Sequence, residues 1–413
     1  MTSGNPIANA DQFAAEEDVR HMWQLPSVKQ ARAKAANLWR LAYGEDVPEE
    51  AEPSFEQAMD EYVTNYLFKA AACDPAHPSF VRNFMPPYEW DGRVVPGARM
   101  GGDNPDNCYR LAPIAHGRGY VVRVRPVGHE PAHATFTLAN NWGTSVTTQS
   151  LELSNLERAE DGSAVITIDD ESASGCRNHL QTTPATKFLY VRDSLAEWSV
   201  ETPLDLTIDH VRGPGRPGLS LEERADRAAF RLLEEVPLYY WFTRLCSARP
   251  ANLLPNPEPV LGMGGLASQC STMGRLDIGP DEAAVVTYHP AAAAYASVVL
   301  YQWWFQSIDA HRRQTSLTSA MSPRNEDGSI SCVISARDPG TANWIDTAGH
   351  RQLLPLIRWQ GLRAGSRPQV DLRIVPFNDL DAILGQGIAR VDPTGRAQQL
   401  AQRSAAWDRR ISL

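Results

Sequence analysis

The sequence predicts an α+β protein whose antiparallel β-sandwich-like core carries a helical N-terminal segment and a helical insertion. Three observations indicate this class. Apolar residues recur at helical spacing within residues 9–72 and again within 219–247. Two other blocks, residues 119–212 and 283–376, contain short alternating segments bounded by Gly, Asp and Asn, which is typical of strands. The regular strand–helix alternation of a doubly wound sheet is missing.

The elements divide the chain into three predicted parts. Residues 1–75 form a helical segment, in which Ser54 is a plausible N-cap. Residues 76–376 form a sandwich-like domain, with a helical insertion at 219–247 that Ser220 caps. Residues 377–413 form a helical tail. No internal repeat is evident.

Ten strands are predicted in the sandwich-like domain, at 119–127, 134–140, 163–168, 188–191, 202–212, 283–288, 295–305, 329–336, 353–362 and 370–376. Two Pro- and Gly-rich stretches, residues 74–118 and 248–280, precede the first and the second group of these strands. Long ordered loops of this kind often carry functional residues.

The composition limits the classes of partner. The 413 residues carry a net charge of −10, which disfavours binding to nucleic acid or to an anionic membrane. No apolar run is long enough to span a bilayer, and the N-terminus lacks a secretory h-region. The six cysteines are widely spaced and include no zinc-binding pattern. We expect a cytoplasmic protein with a small-molecule ligand and no cofactor or metal, and leave open whether it forms a homo-oligomer.

Three segments of the chain together resemble a known bacterial family. They are GDNPDNCY at 102–109, the strand region 328–337, and DPGTANWID at 338–346 with RWQ at 358–360. These motifs are similar to those of the family called domain of unknown function 1214, over roughly residues 98–362. The resemblance implies a β-sandwich-like domain with helical additions. It implies no chemistry, because the family has no established activity.

Two Pro-containing corners are candidate parts of a site. In the first, Asp103, Asn104 and Asp106 crowd one short loop, where their oxygens either bind a cation or substrate hydroxyls, or form Asx-turns with their own backbone. In the second, Asn343, Trp344 and Asp346 follow a Pro-Gly turn. They either present side chains to a pocket or fix a corner of the fold.

The remaining candidates are basic and aromatic side chains. Arg123 and Arg125 lie on one face of a predicted strand and either bind an anion in bidentate fashion or form surface salt bridges. Tyr109 and Trp303 either line a cleft or enter the core. His289 and His311 flank the strand at 295–305 and are candidates for proton transfer.

Two further motifs are better explained as loops. The sequence HEPAH at 129–133 matches the zinc-peptidase pattern, but Pro131 and the flanking strands favour a turn over the required helix. The sequence GMGGLA at 262–267 lacks the preceding strand of a dinucleotide site, so a flexible loop is expected. No P-loop and no GxSxG motif is present.

These observations lead to one main hypothesis and two alternatives. The main hypothesis is an enzyme that acts on a small hydrophobic, aromatic or sugar-like metabolite by non-redox acid–base chemistry, as a lyase, isomerase or hydrolase. Its catalytic groups would come from Asp103, Asp346, His289 and His311, in a cleft walled by Tyr109, Trp303 and Trp344. The first alternative is a non-catalytic protein that binds a small molecule or carbohydrate there. The second is a structural oligomer without a ligand.

Overall fold

The computed structural model describes residues 5–44, 46–90, 92–143, 147–259, 268–363, 365–385 and 387–411. The helices within these ranges are α1 (Ala10–Met22), α2 (Pro26–Tyr43), α3 (Phe55–Ala71), α4 (Leu221–Ser247), α5 (Leu380–Leu384) and α6 (Pro393–Ile411). None of these helices has the length and apolar character needed to cross a membrane. Together with the sheets below, they confirm the predicted α+β class.

The described residues of the first half of the chain form eleven strands. They are β1 (Val81–Asn83), β2 (Tyr88–Trp90), β3 (Arg93–Val95), β4 (Asn107–Pro113), β5 (Gly119–Arg125), β6 (His133–Ala139), β7 (Thr147–Glu152), β8 (Ala164–Asp169), β9 (His179–Gln181), β10 (Phe188–Ser194) and β11 (Asp205–Arg212). The first four lie in or near the stretch 74–118, which was predicted to be loop. Three of these four have only three residues each, which is too short for an alternating pattern to be recognised.

Ten strands are found in the part of the second half that the structure describes. They are β12 (Glu258–Pro259), β13 (Cys270–Met273), β14 (Leu276–Asp277), β15 (Glu282–Tyr288), β16 (Tyr295–Tyr301), β17 (Ser316–Thr318), β18 (Ile330–Ser335), β19 (Trp344–Asp346), β20 (Gln352–Gln360) and β21 (Val370–Pro376). The strand predicted at 295–305 ends at Tyr301. A turn follows it, in which Phe305 has a left-handed φ of 58°.

The strands form two sandwiches where the sequence analysis expected one. In the first, the sheet β1-β4-β10-β6-β7 packs on the sheet β11-β5-β8-β9, and both contribute to a core that includes Val122, Ile166 and Val191. In the second, the sheet β12-β13-β20-β16-β17 packs on β19-β18-β15-β21, around Val286 and Ile357. Each sandwich within residues 76–376 therefore has its own apolar core between its two sheets.

The two sandwiches have the same topology. Each strand of the first sandwich has a counterpart in the second that occupies the same place in its sheet and the same place in the order along the chain. The equivalent strands are β1/β12, β4/β13, β5/β15, β6/β16, β7/β17, β8/β18, β9/β19, β10/β20 and β11/β21. The pairs β8–β9 and β18–β19 are both parallel, while the other pairs are antiparallel. The expectation that the chain contains no repeat is therefore wrong at the level of structure.

The register of the strands gives the equivalent residues. Ser194 of β10 lies opposite His133, the first residue of β6. Gln360 of β20 lies opposite Tyr295, the first residue of β16. Counting back two residues from Ser194 and from Gln360 makes Arg192 of β10 equivalent to Arg358 of β20.

The helices cover the first sandwich and join it to the second. Helices α1 to α4 share one large core with the outer face of the first sandwich, including Trp39 and Tyr62. Helix α4 begins with the predicted cap, because Ser220 and Glu223 form a capping box. Helix α6 contacts both halves, since Arg410 Nη1 donates to Pro105 O at 2.9 Å and Arg403 Nη2 donates to Ser316 Oγ at 2.6 Å.

Candidate functional site

A cavity of about 490 Å³ lies between the two sandwiches. Alternate side chains of β10 and β20 point into it, among them Tyr190 and Arg192 from one strand and Arg358 from the other. The residues between them, such as Val191 and Ile357, belong to the two sandwich cores. The cavity is therefore built from the outer faces of two equivalent sheets.

Apolar and aromatic side chains form much of the wall: Phe84, Met100, Tyr109, Tyr190, Leu238, Tyr239, Met273, Phe305 and Leu356. The loop before β4 approaches these rings closely. Gly101 and Gly102 have left-handed φ values of 56° and 77°, and a Cβ atom on either would lie 2.6 Å from the ring of Tyr239 or Phe305. Glycine is required at both positions, since only glycine leaves space for the rings.

Arg358 is held firmly in this wall. It is 7% exposed, its Nη1 donates to the Tyr301 hydroxyl at 2.6 Å, and its Nη2 donates to the carbonyl of Gly102 at 2.6 Å. The Tyr301 hydroxyl in turn donates to the carbonyl of Asp103 at 2.8 Å. Arg358 thus ties β20 to the loop that carries the first predicted corner.

Arg192, the equivalent residue, has no such anchor. It is 8% exposed, and among the described residues no hydrogen-bond or ion-pair partner is found for its guanidinium, whose Nη1 is fully buried. Burial lowers the pKa of Arg192, and the positive charge of Arg358 lowers it further, although Tyr109 and Tyr190 act in the opposite direction. Proteins normally place an anion or hydrogen-bond acceptors beside a buried cation, because these groups offset its loss of hydration. No such group is found for Arg192 among the described residues.

Equivalent polar residues also meet at the edge of the cavity. Ser194 Oγ donates to Gln360 Oε1 at 2.7 Å, and Gln360 Nε2 donates to Gln269 Oε1 at 3.1 Å. The two sandwiches therefore contact each other through corresponding positions of β10 and β20.

The first predicted corner lies beside this cavity. Asp103 is one of the lining residues, and its carboxylate accepts from the backbone N–H of Ser307 at 3.0 Å and from its hydroxyl at 2.5 Å. Burial raises the pKa of Asp103 to about 6, although Ser307 and Arg99 oppose that rise. This carboxyl therefore titrates closer to neutrality than an ordinary aspartate.

The neighbouring Asn104 and Asp106 stabilise the loop. Asn104 Oδ1 accepts from the N–H of Asp106 at 3.1 Å, which is an Asx-turn. Asp106 accepts from the hydroxyl of Tyr295 at 2.5 Å and from Nε1 of Trp198 at 2.9 Å. Within the described residues no group of three metal-ligating side chains is found here or elsewhere.

The second predicted corner is separate from the cavity. Asn343 Nδ2 donates to the carbonyl of Pro323 at 2.8 Å, and Trp344 Nε1 donates to that of Ser335 at 3.0 Å. Asp346 accepts from Arg313 Nη1 at 2.8 Å. These bonds fix β19 and the residue before it, and none of these three side chains lines the cavity. The structure therefore does not bring the two corners together at the cavity.

Of the remaining predicted ligand-binding residues, Tyr109 lines the cavity, whereas Arg123, Arg125 and Trp303 lie outside its lining. Arg123 and Arg125 are exposed and form ion pairs with Asp209 and Asp205. Trp303 is buried in the core that the helices share with the first sandwich.

The predicted acid–base residues do not converge. His289 is exposed, whereas His311 is half-buried against Trp407, and burial lowers the pKa of His311 to about 4. Of Asp103, Asp346, His289 and His311, only Asp103 lines the cavity.

The two motifs interpreted as loops have different outcomes. The HEPAH segment forms no helix, so the preference for a loop over the zinc-peptidase helix is confirmed. The connection is not a hairpin turn, because β5 and β6 lie in different sheets of the first sandwich, and Glu130 pairs with Arg158 at 2.5 Å. The GMGGLA segment at 262–267 lies outside the described residues.

One family model matches part of this chain, and solved structures are similar to it. Residues 284–361, from β15 to β20, match the family model of the protein of unknown function DUF1214, which confirms the resemblance over that segment. An uncharacterised protein from Burkholderia cenocepacia is 23% identical, with a TM-score of 0.69 over 90% of this chain and 100% of its own. The VPA0106 protein from Vibrio parahaemolyticus is 11% identical, with a TM-score of 0.41 over 66% and 89%. No curated protein matches significantly.

Proposed function

We propose that the chain binds a small organic anion, with an aromatic or apolar body, in the cavity between the sandwiches. The observation that carries this proposal is the buried guanidinium of Arg192, for which no partner is found among the described residues and which lies near the positive charge of Arg358. An anionic group would supply the missing partner, because a guanidinium presents paired N–H groups that match a carboxylate.

The wall supports the same ligand class. Tyr109, Tyr190, Tyr239 and Phe305 present ring surface next to the two arginines. Cavities that combine apolar walls with a few converging polar groups are typical of small-molecule sites. The rings would pack against the body of the ligand while the arginines orient its charged end.

A pair of nearly isosteric compounds tests the proposal. Phenylacetate carries a carboxylate, whereas phenylacetamide has the same ring and a neutral amide. We expect phenylacetate to raise the melting temperature in a dose-dependent way and phenylacetamide to leave it unchanged. Equal shifts with both compounds would show that the arginines do not select an anion.

Acid–base catalysis in the same cavity is the second candidate function, and Asp103 favours it. A general acid or base works best when its pKa is close to the working pH, and burial brings the pKa of Asp103 to about 6. The reaction class remains the non-redox lyase, isomerase or hydrolase chemistry proposed above. Asp103→Asn should abolish turnover of any substrate found by activity profiling, while phenylacetate binding persists. Unchanged turnover would remove Asp103 from the mechanism.

A cytoplasmic location is also proposed. All six cysteines are free thiols, and five of them are buried. Reduced thiols are the normal state in a cytoplasm. Recovery of the protein in the membrane or extracellular fraction of its native cells would contradict this location.

A further inference from the structure

A third arginine lines the cavity between the sandwiches. Arg249 lies just after α4, is half-buried, and belongs to the same wall as Arg192 and Arg358. Its Nη1 donates to the carbonyl of Met273 in β13. Among the described residues, no carboxylate forms an ion pair with Arg249. The protein therefore gives this guanidinium one carbonyl acceptor and no compensating charge.

The register of the strands separates Arg249 from Arg358. Met273, which holds Arg249, lies opposite Leu356, whereas Arg358 lies opposite Ser271. All of these residues line the cavity. Two residues of a strand span about 7 Å, so the two arginines are anchored about that far apart along the sheet. The cavity therefore has a second cationic position besides that of Arg192 and Arg358.

Arg249 lies toward the opening of the cavity. Four exposed residues also line it: Pro255, Asn256, Glu258 and Pro259. This segment is bonded to β13 beside the contact that holds Arg249, because Thr272 Oγ1 donates to the carbonyl of Pro255 at 2.6 Å. Arg192, in contrast, is 8% exposed and marks the enclosed end. A ligand that extends from the enclosed end to the opening meets positive charge at both ends.

The two carboxylates of the wall do not neutralise Arg249. Asp103 accepts hydrogen bonds from the backbone N–H and the hydroxyl of Ser307. Glu258 is exposed in β12, where water screens its charge. An anionic group of the ligand would therefore be the closest counter-charge that Arg249 receives inside the cavity.

We propose that the ligand carries a second anionic group, which binds Arg249 while the first lies on Arg192 and Arg358. This inference rests on the proposed anion binding, and it narrows the ligand class to dicarboxylates with an aromatic or apolar body between the two carboxylates. Tyr109 and Phe305 would pack against that body. Arg249 then selects a dianion over a monoanion, because a guanidinium pairs with a carboxylate in bidentate fashion.

Three compounds that share one ring test the second anionic group. The compound para-carboxyphenylacetate has two carboxylates, para-carbamoylphenylacetate has a neutral amide of nearly the same shape on the ring, and phenylacetate lacks the ring substituent. Calorimetric titration into the full-length wild type measures the three affinities. We expect the dicarboxylate to bind at least about tenfold more tightly than the amide, because only the dicarboxylate forms a charged pair with Arg249.

Three variants assign the preference to one residue. Arg249→Met should remove the preference for the dicarboxylate over the amide. Arg249→Lys should retain part of it, because the positive charge remains. Arg123→Met changes an exposed arginine outside the cavity and should retain the full preference.

The outcomes separate this inference from the proposed anion binding. Equal affinities of the wild type for the dicarboxylate and the amide, or a preference that persists in Arg249→Met, would overturn the inference. If phenylacetate still binds more tightly than phenylacetamide in that case, the anion site stands without a second group. If no compound of the series binds, the proposed anion binding fails together with this inference.

Discussion

Arg192 and Arg358 occupy the same position in two equivalent strands and face the same cavity, but only Arg358 is anchored by the protein. A repeated fold has thus placed two guanidiniums at one interface. Tyr301 and Gly102 hold one of them, and no partner for the other is found among the described residues. This asymmetry is the physical basis of the proposed anion site.

The two arginines should differ in their effect on stability. Arg358→Met should lower the free energy of unfolding by roughly 2–4 kcal/mol, because the Gly102 carbonyl and the Tyr301 hydroxyl lose a charged donor. Arg192→Met should leave stability unchanged or raise it, because it removes a buried charge for which no partner is found. Urea unfolding of both variants measures the difference. The interpretation of Arg192 fails if its variant loses as much stability as that of Arg358.

Lys69 should make stability depend on pH above neutrality. The pKa of its amine is about 7 in the folded protein and 10.5 as a reference value, so between these values the unfolded chain binds more protons. Stability therefore rises with pH in this window. The wild type should gain about 2 kcal/mol relative to Lys69→Met between about pH 7 and pH 9. Urea unfolding at several pH values measures this gain, and Lys187→Met serves as the control. A constant difference would mean that Lys69 keeps an ordinary pKa.

Asp103 should have its effect in the acidic range. Burial raises the pKa of Asp103 from 3.8 to about 6, so between these values the folded protein holds more protons than the unfolded chain. Stability therefore falls as pH rises through this window and is level above it. Relative to Asp103→Asn, the wild type should lose about 2 kcal/mol between about pH 4 and pH 7. Chemical unfolding across this range measures how the free energy of unfolding depends on pH. A wild-type stability that rises with pH relative to Asp103→Asn would contradict the raised pKa.

The second corner should matter for stability and leave binding unaffected. Asn343→Ala removes one side-chain donor from two carbonyls, those of Pro323 and Ser331, and should lower the free energy of unfolding by about 1–3 kcal/mol. The folded Asn343→Ala protein should bind phenylacetate with the same affinity as the wild type. Calorimetric titration measures that affinity. A loss of affinity without a loss of stability would show that this corner contributes to ligand binding, which would contradict the prediction.

The helices and ten of the 21 described strands could be predicted because their side-chain periodicity is local. The first corner was also recognisable, since Asp103, Asn104 and Asp106 surround a proline in a way that only a tight turn accommodates. The second corner carries a similar local signal. Its neighbours are Pro323, Ser335 and Arg313. Local patterns could not reveal that it lies away from the first corner.

The two central arginines were missed for a related reason. The cavity forms between strands that are distant in sequence, as the Ser194–Gln360 contact across 166 positions illustrates. One signal was available, because Arg192 and Arg358 each directly follow an apolar run within their strand. A charge at such a position is rarely buried without a partner or a ligand. The repeat was hidden because strand cores accept many apolar residues interchangeably.

Calorimetric titration of phenylacetate into four proteins tests the anion site most directly. The proteins are the wild type, Arg192→Met, Arg358→Met and the exposed control Arg123→Met. We predict saturable binding to the wild type and to Arg123→Met, with at least about a tenfold loss of affinity in Arg192→Met, as expected when a charged pair is removed. Arg358→Met should also lose affinity. Wild-type affinity in the Arg192→Met variant would contradict the assignment of this cavity as an anion-binding site.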